Sequence, residues 1–397
     1  MIFEVTEGKV SWLPDLRLGD LPDILPKGLS LHTRNNDLGL EAQGIVGTIP
    51  LKSGSTLLIV PKIGRLNFMR ILLKAEGADT LINRDYDELV TYAVTSEETI
   101  ESLVARELFH GLAAILSKSP MFRREPVRVN LGYPRGRVDW LKTTLKVASR
   151  NANPVVATSK EKNYNTAENC FLASAAKRAW ACLTPEQRAG FYPIYEKWIS
   201  RFDGSNRLVQ EMTEIEERLA GGGYGGARDY YRKPLMLGRI IMGASGLGLD
   251  GSNYVDGDSM LLNTADIYER YLRNCIRLAY TGRGYLVSKG AGSSSLYTDG
   301  SYELNPDIVV SKDGECLLVL DAKYKSPDSG DHYQLVCYMK AYGVKRGALL
   351  SPTMDFDEVR IKEYATSDGL VCREVILPMG NMKLTEAFLA SIVERLA

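Results

Sequence analysis

Histidine is scarce in this sequence: only His32, His110 and His332 occur among 397 residues. They stand too far apart to suggest a histidine metal cluster, and His110, inside a helical apolar pattern, reads as a core residue. The six cysteines (Cys170, Cys182, Cys275, Cys316, Cys337, Cys372) are no closer than twelve positions (182 minus 170). That spacing excludes a CxxC zinc site and an iron–sulfur cluster, and leaves reduced, mostly buried thiols. Net charge is missing too: Lys plus Arg and Asp plus Glu both number 49. A global positive field is thereby excluded as a route to nucleic acid, so any DNA affinity must be local or borrowed. No apolar run approaches the roughly eighteen residues of a spanning helix. The start, Met1-Ile2-Phe3-Glu4-Val5-Thr6-Glu7, carries acid where a secretory signal carries base, so a cytoplasmic, membrane-free protein is expected. A phosphate-binding G-x-x-x-x-G-K-[ST] loop is also lacking, so the chain is not expected to hydrolyse nucleotide by itself.

What is present is enough material for two or three globular domains, with 45% hydrophobic and 25% charged residues. Residues 1–90 read as β-rich: a strand over 44–51, a turn at Lys52-Ser53-Gly54-Ser55, and a strand over 56–60. Thr95 with Glu98 forms a capping box ahead of Ile100, Leu103, Val104, Leu108, Phe109, Leu112 and Leu116 at helical spacing. Residues 91–245 are therefore expected to be mainly helical, with helices over 165–180 and 185–201 and a strand-like stretch at 143–148. Glycine is dense from 220 to 251, beginning at Gly221-Gly222-Gly223-Tyr224-Gly225-Gly226, which marks either the main domain boundary or a long loop. Residues 246–397 read as α/β: a helix over 264–280, strands over 301–304, 308–310 and 316–321, a helix over 331–342, a strand over 347–350, and a helix over 384–396. Lys312-Asp313-Gly314 is a strong hairpin signal.

One group of residues carries chemistry. Metal-dependent phosphodiester hydrolysis needs hard oxygen ligands and a cation that steadies the attacking water or the developing charge. Pro306-Asp307 opens a strand, and fourteen positions on (321 minus 307) comes Asp321-Ala322-Lys323. On an extended strand Asp321 and Lys323 share a face. Leu317-Leu318-Val319-Leu320 before them reads as a buried central strand, and the hairpin brings Asp307 alongside. The bland alternative makes Asp307 a turn residue and Asp321/Lys323 an exposed pair. Gln334 and Tyr338 follow at i and i+4 on one helix face, and Glu269 lies on a preceding helix that could face the same cleft.

With these residues in place, the C-terminal third resembles PD-(D/E)xK nucleases bearing a Q-x-x-x-Y helix, and more closely the McrC subunit of McrBC-type, methylation-dependent restriction systems. Upstream, Gly44-Ile45-Val46-Gly47, Leu58-Ile59-Val60-Pro61-Lys62-Ile63, Arg135-Gly136-Arg137-Val138-Asp139 and Asn163-Tyr164-Asn165-Thr166-Ala167-Glu168-Asn169 resemble McrC landmarks in the same order. The departure is Tyr324, where such sequences commonly carry Trp. The resemblance implies an α+β multidomain chain: a β-rich and helical N-terminal half that docks a partner, and a C-terminal restriction-endonuclease-like domain. It implies that Asp307 and Asp321 bind Mg²⁺ or Mn²⁺, with Glu269 an outer ligand. Lys323 would orient or polarise the water, and Gln334 and Tyr338 would brace the site or touch DNA. The implied partners are DNA and a McrB-like AAA+ GTPase hexamer, with GTP entering only through that partner, in antiphage defence. Two alternatives stay open: an inactive adaptor that activates an AAA+ partner, and a stand-alone RecB-like repair nuclease. The basic stretch Arg123, Arg124, Arg128, Arg135 and Arg137 reads as a DNA- or pore-facing surface, or as a solvated face.

Overall fold

The computed structural model describes residues 2–34, 37–75, 100–202, 214–215, 218, 224–244, 260–290, 295–297 and 299–397. The chain packs as two compact units, Met1–Ile100 with Gly243–Ala397, and Glu101–Met242. The β-rich segment expected to come first thus shares a unit with the α/β segment expected to come last. The Thr95/Glu98 capping box lies outside the described residues, as do residues 221–223 of the glycine run.

The first unit opens with β1 (Ile2–Thr6), β2 (Val10–Leu13), β3 (Leu29–Arg34), β4 (Asp37–Ala42), β5 (Ile45–Pro50) and β6 (Thr56–Val60). Strands β2, β4 and β3 form one antiparallel sheet, while β1 runs parallel to β6 and β6 antiparallel to β5. The predicted turn joins β5 to β6, and Gly54 takes the left-handed φ of +77° that the turn requires. A helix, α1 (Arg65–Ala75), follows.

The second unit contains α2 (Ile100–Lys118, whose first residue closes the other unit), β7 (Arg123–Leu131), β8 (Arg137–Val138), α3 (Trp140–Ala148), β9 (Val155–Asn163), α4 (Ala167–Cys182), α5 (Pro185–Arg201) and α6 (Arg232–Ala244, whose last two residues open the other unit's second segment). Thr184 and Gln187 form a capping box with Pro185 at the first helical position, which starts α5 where the sequence predicts. Buried Phe109 and partly exposed Trp180, Phe191 and Tyr195 form an aromatic cluster between α2, α4 and α5. Two expectations need correction. A sheet of order β7-β9-β8 accompanies the helices; in β7 only Val127, Val129 and Leu131 alternate with polar residues, after a first half that is charged on both faces. The strand-like stretch 143–148 is helical: Asp139 caps the Lys142 N–H at 3.1 Å, and this local cap overrides the β-propensity of Thr143, Thr144 and Val147.

The first unit resumes with β10 (Met260–Asn263), which pairs antiparallel with β5 and completes a sheet of order β1-β6-β5-β10. Then come α7 (Thr264–Tyr280), β11 (Tyr285–Ser288), β12 (Ile308–Lys312), β13 (Glu315–Ala322), α8 (Ser329–Ala341), β14 (Arg346–Thr353), β15 (Arg360–Ala365), β16 (Val371–Pro378), α9 (Met382–Leu389) and α10 (Ile392–Leu396). Their sheet has the order β11-β12-β13-β14-β16-β15, antiparallel at both ends and parallel from β13 through β14 to β16. Asp313 and Gly314 adopt φ of +52° and +87°, the mirror-image turn that the hairpin signal predicts. Leu318, Val319 and Leu320 have no exposed surface, so β13 is buried on both faces. The helix α8 crosses from β13 to β14 and packs Leu335, Tyr338 and Met339 against Val319 and Leu349. Each fully buried aliphatic side chain contributes about 1.5–3 kcal/mol.

Here too the structure differs from expectation. Residues 301–304 form no strand, only an isolated bridge between Ser295 and Glu303. The closing helix is two short ones, separated at Ser391, whose backbone leaves the helical region (φ −123°) while its hydroxyl donates to the Ala387 and Phe388 carbonyls. The N-terminal segment is fastened to this part by α1: Arg70 grips Glu386 of α9 with two bonds of 2.9 and 2.7 Å. Asn274 of α7 donates to the Lys74 and Ala75 carbonyls at the end of α1. Among the described residues no helix is long and apolar enough to cross a membrane.

Candidate active site

Asp307 stands at the mouth of β12. Its position is set from behind, where the Gly290 N–H donates to the Pro306 carbonyl at 2.8 Å. A Cβ at residue 290 would fall 2.4 Å from Pro306 Cδ, so only glycine permits this approach. The register pairs Ile308 with Leu320, which puts Asp307 across from Asp321, the next-to-last residue of β13. Asp307 Oδ2 accepts the Ala322 N–H at 2.9 Å. Burial first, then the neighbouring charges of Asp321 and Glu269, push the Asp307 carboxyl up to about 8.

Asp321 is only 2% exposed. Its Oδ2 lies 2.8 Å from Lys323 Nζ, a close ion pair. Lys323 Nζ is also 3.1 Å from Asp331 Oδ1 and donates to Gln334 Oε1 at 2.9 Å. Burial works against the ammonium, but Asp321 and Asp331 outweigh it and hold it above the ordinary lysine value. Gln334 then donates to the Tyr338 hydroxyl at 2.7 Å. Five residues singled out by sequence, Asp307, Asp321, Lys323, Gln334 and Tyr338, are therefore brought together.

Sequence reasoning missed Asp331. It is the third residue of α8, reciprocally capped with Asp328, and its two oxygens face Lys323 and Lys325 at 3.1 Å each. The Asp-x-x-Asp capping spacing was the signal that could have found it. Glu269 sits close enough for its charge to act on Asp307. However, its Oε1 is occupied by Arg273 at 2.5 Å and Lys289 at 2.8 Å. Burial opposes its charge, but those two cations prevail and hold the carboxyl below its usual range. Arg273 also donates to the Asp307 carbonyl at 3.0 Å, so this group buttresses the Asp307 backbone.

Among the described residues no three His, Cys, Asp or Glu side chains converge as a metal-holding group. Two carboxylates close enough for the charge of Asp321 to act on Asp307 nonetheless suit a hard cation of the Mg²⁺ kind, which keeps most of its waters and takes one or two carboxylates. The histidines are engaged elsewhere: His32 with Glu41, His332 with Glu374, and His110, which is exposed rather than in the core, edge-on to Phe191.

A multidomain α+β chain with two carboxylates and a lysine at the end of a buried central strand is the class that fold and site define. The family model described as McrBC 5-methylcytosine restriction system component matches residues 40–352, most of the chain, and the protein belongs to that family. Its fold is similar to that of a chain in the refined half-complex from the tetradecameric assembly of Thermococcus gammatolerans McrB AAA+ hexamers with bound McrC. That likeness has a TM-score of 0.65 at 12% identity and covers 100% of both chains. A chain in the cryo-EM structure of the Thermococcus gammatolerans McrBC complex is similar at a TM-score of 0.48 and 11% identity, over 71% of this chain and 88% of that one. No curated protein matches the sequence.

Proposed function

We propose that this protein is the DNA-cleaving subunit of a GTP-dependent, modification-dependent restriction complex, acting in the cytoplasm as a Mg²⁺-dependent endodeoxyribonuclease. The observation that carries the reading is the convergence of Asp307, Asp321 and Lys323, with the two carboxylates close enough for one charge to act on the other and the ammonium 2.8 Å from Asp321 Oδ2. Asp307 and Asp321 would hold the ion, and Mn²⁺ could take the place of Mg²⁺. When bound, the ion supplies positive charge against the charge that develops on the scissile phosphate. Lys323, kept protonated by Asp321 and Asp331, serves as a donor that orients the attacking water rather than as a base. Gln334 and Tyr338 brace that ammonium from α8. Glu269, paired with Arg273 and Lys289, supports Asp307 from outside.

The motor is a separate AAA+ GTPase of the McrB type. Two features support this: the chain carries no nucleotide-phosphate loop, and the similar solved fold comes from an assembly of McrB AAA+ hexamers with bound McrC. The docking surface is assigned to the second unit. There α3 attaches through Thr143, which trades hydrogen bonds with Val156, and leaves Trp140, Leu141 and Leu145 exposed at 74%, 73% and 63%. Three large apolar residues exposed on one short helix form the kind of patch that marks a protein interface.

The test is DNA cleavage with the AAA+ partner, GTP and Mg²⁺, comparing wild type with Asp321→Ala. The substitution is expected to slow cleavage by about 10³-fold, the scale of losing a principal electrostatic group, while GTPase stimulation persists. Equal nicking by both proteins would remove the nuclease. Stimulation by a wild-type chain that never cleaves would leave an adaptor.

A further inference from the structure

Lys62, in the Leu58-Ile59-Val60-Pro61-Lys62-Ile63 segment, has no part in the site as described so far. It follows β6 by two positions, and its ammonium donates to the main-chain carbonyl of Tyr324, 262 residues away in sequence. The same ammonium lies 4.0 Å from the centroid of the Tyr324 ring. Tyr324 is the residue directly after Lys323, where the chain leaves the sheet. The Lys323 N–H still bonds the Leu350 carbonyl at 2.9 Å, and β13 has ended at Ala322.

The surroundings make this contact directional. Glu7 at the end of β1 is buried, takes the Thr264 hydroxyl at 2.6 Å and the Lys62 N–H at 3.3 Å, and so ties the Lys62 backbone to the first residue of α7. One turn along α7, the Tyr268 ring packs 5.4 Å from the Tyr324 ring. Tyr324 is thus held by its carbonyl and ring from Lys62 and by its ring from Tyr268. An apolar side chain of equal length would fill the same space. What the ammonium adds is a hydrogen-bond donor at one carbonyl, a charge over one ring, and a positive charge that acts on the buried Glu7 carboxyl.

We propose that Lys62 is a positioning residue of the nuclease: from just past β6 it fixes the Tyr324–Lys325 peptide, one residue beyond Lys323, and thereby sets where the Lys323 ammonium stands against Asp321. The inference rests on the nuclease reading above. A displacement of about 1 Å at a reacting group costs up to about 10²-fold in rate, and the Tyr324 carbonyl is one residue from that group.

The experiment uses the full chain with its AAA+ partner, GTP and Mg²⁺, measuring single-turnover cleavage over a range of DNA concentrations. Lys62→Met keeps the stem and removes the donor, and Lys62→Arg returns a cationic donor. The expected result for Lys62→Met is a maximal rate about 10- to 100-fold lower, with half-saturating DNA and GTPase stimulation within about twofold of wild type. Lys62→Arg is expected to recover most of the rate. Wild-type cleavage by Lys62→Met, a joint loss of cleavage and GTPase stimulation, or no recovery in Lys62→Arg would each overturn the assignment. Asp321→Ala, run alongside, separates the two claims. If it cleaves normally the nuclease reading itself has failed, whereas a dead Asp321→Ala with a fully active Lys62→Met sinks only the role of Lys62.

Discussion

Replacing Asp307 with asparagine should make the metal-free protein more stable while ending its ability to cut DNA. The carboxyl is pushed from 3.8 in its ordinary state to about 8 in the folded chain, by burial and by the charges of Asp321 and Glu269. A group whose folded value is raised stabilises the fold fully below its unfolded value, and that contribution is lost as pH climbs through the folded one. The window therefore runs from about 4 to about 8. Each unit is worth about 1.4 kcal/mol, and discounting for the screening of a partly exposed site leaves a penalty of about 2 kcal/mol at pH 8. Asparagine keeps an oxygen that can accept the Ala322 N–H now held at 2.9 Å, so little is lost in exchange. In EDTA at pH 8 the Asp307→Asn melting midpoint should lie about 5 °C above wild type, and its stability should change less between pH 5 and 8. Millimolar Mg²⁺ should stabilise wild type more at pH 8 than at pH 6, because the ion displaces a proton, and should do little for the variant. Calorimetry across pH with and without Mg²⁺ reads all of this. A variant no more stable than wild type in EDTA at pH 8, with the same pH slope, would refute the electrostatic reasoning.

Gly290→Ala puts a methyl 2.4 Å from Pro306 Cδ and must shift the Pro306-Asp307 peptide. Overpacking of this kind costs about 1–3 kcal/mol, and cleavage should slow by about tenfold or more with GTPase stimulation retained; cleavage at the wild-type rate counts against the steric argument. Leu145→Asp changes a side chain 63% exposed on α3, so folding stability should move by less than about 0.5 kcal/mol. Partner affinity, read by titrating GTPase stimulation, should fall by about tenfold or more, and an unchanged titration would remove α3 from the interface.

The elements legible from sequence were those fixed by local signals. The helix over 264–280 emerges with the predicted bounds because Asn263 caps it and its apolar face is strongly periodic. The Asp313-Gly314 turn follows from the left-handed conformations that these two residues tolerate. Strand β15 was invisible because every one of its residues is exposed, leaving no apolar alternation to read. In α3 the β-branched residues pointed one way and the Asp139 cap the other, and the cap prevailed.

The spacing of Asp307, Asp321 and Lys323 along a hairpin was determined by the sequence itself, because strand alternation and a two-residue turn are properties of neighbours in the chain. The tertiary structure alone decided that the N-terminal segment shares one unit with the C-terminal segment, that Glu269 is claimed by Arg273 and Lys289, and that Lys62 reaches Tyr324 across 262 positions. Those contacts depend on which buried charges and carbonyls find partners when distant segments pack, and no local pattern in the chain encodes such a pairing.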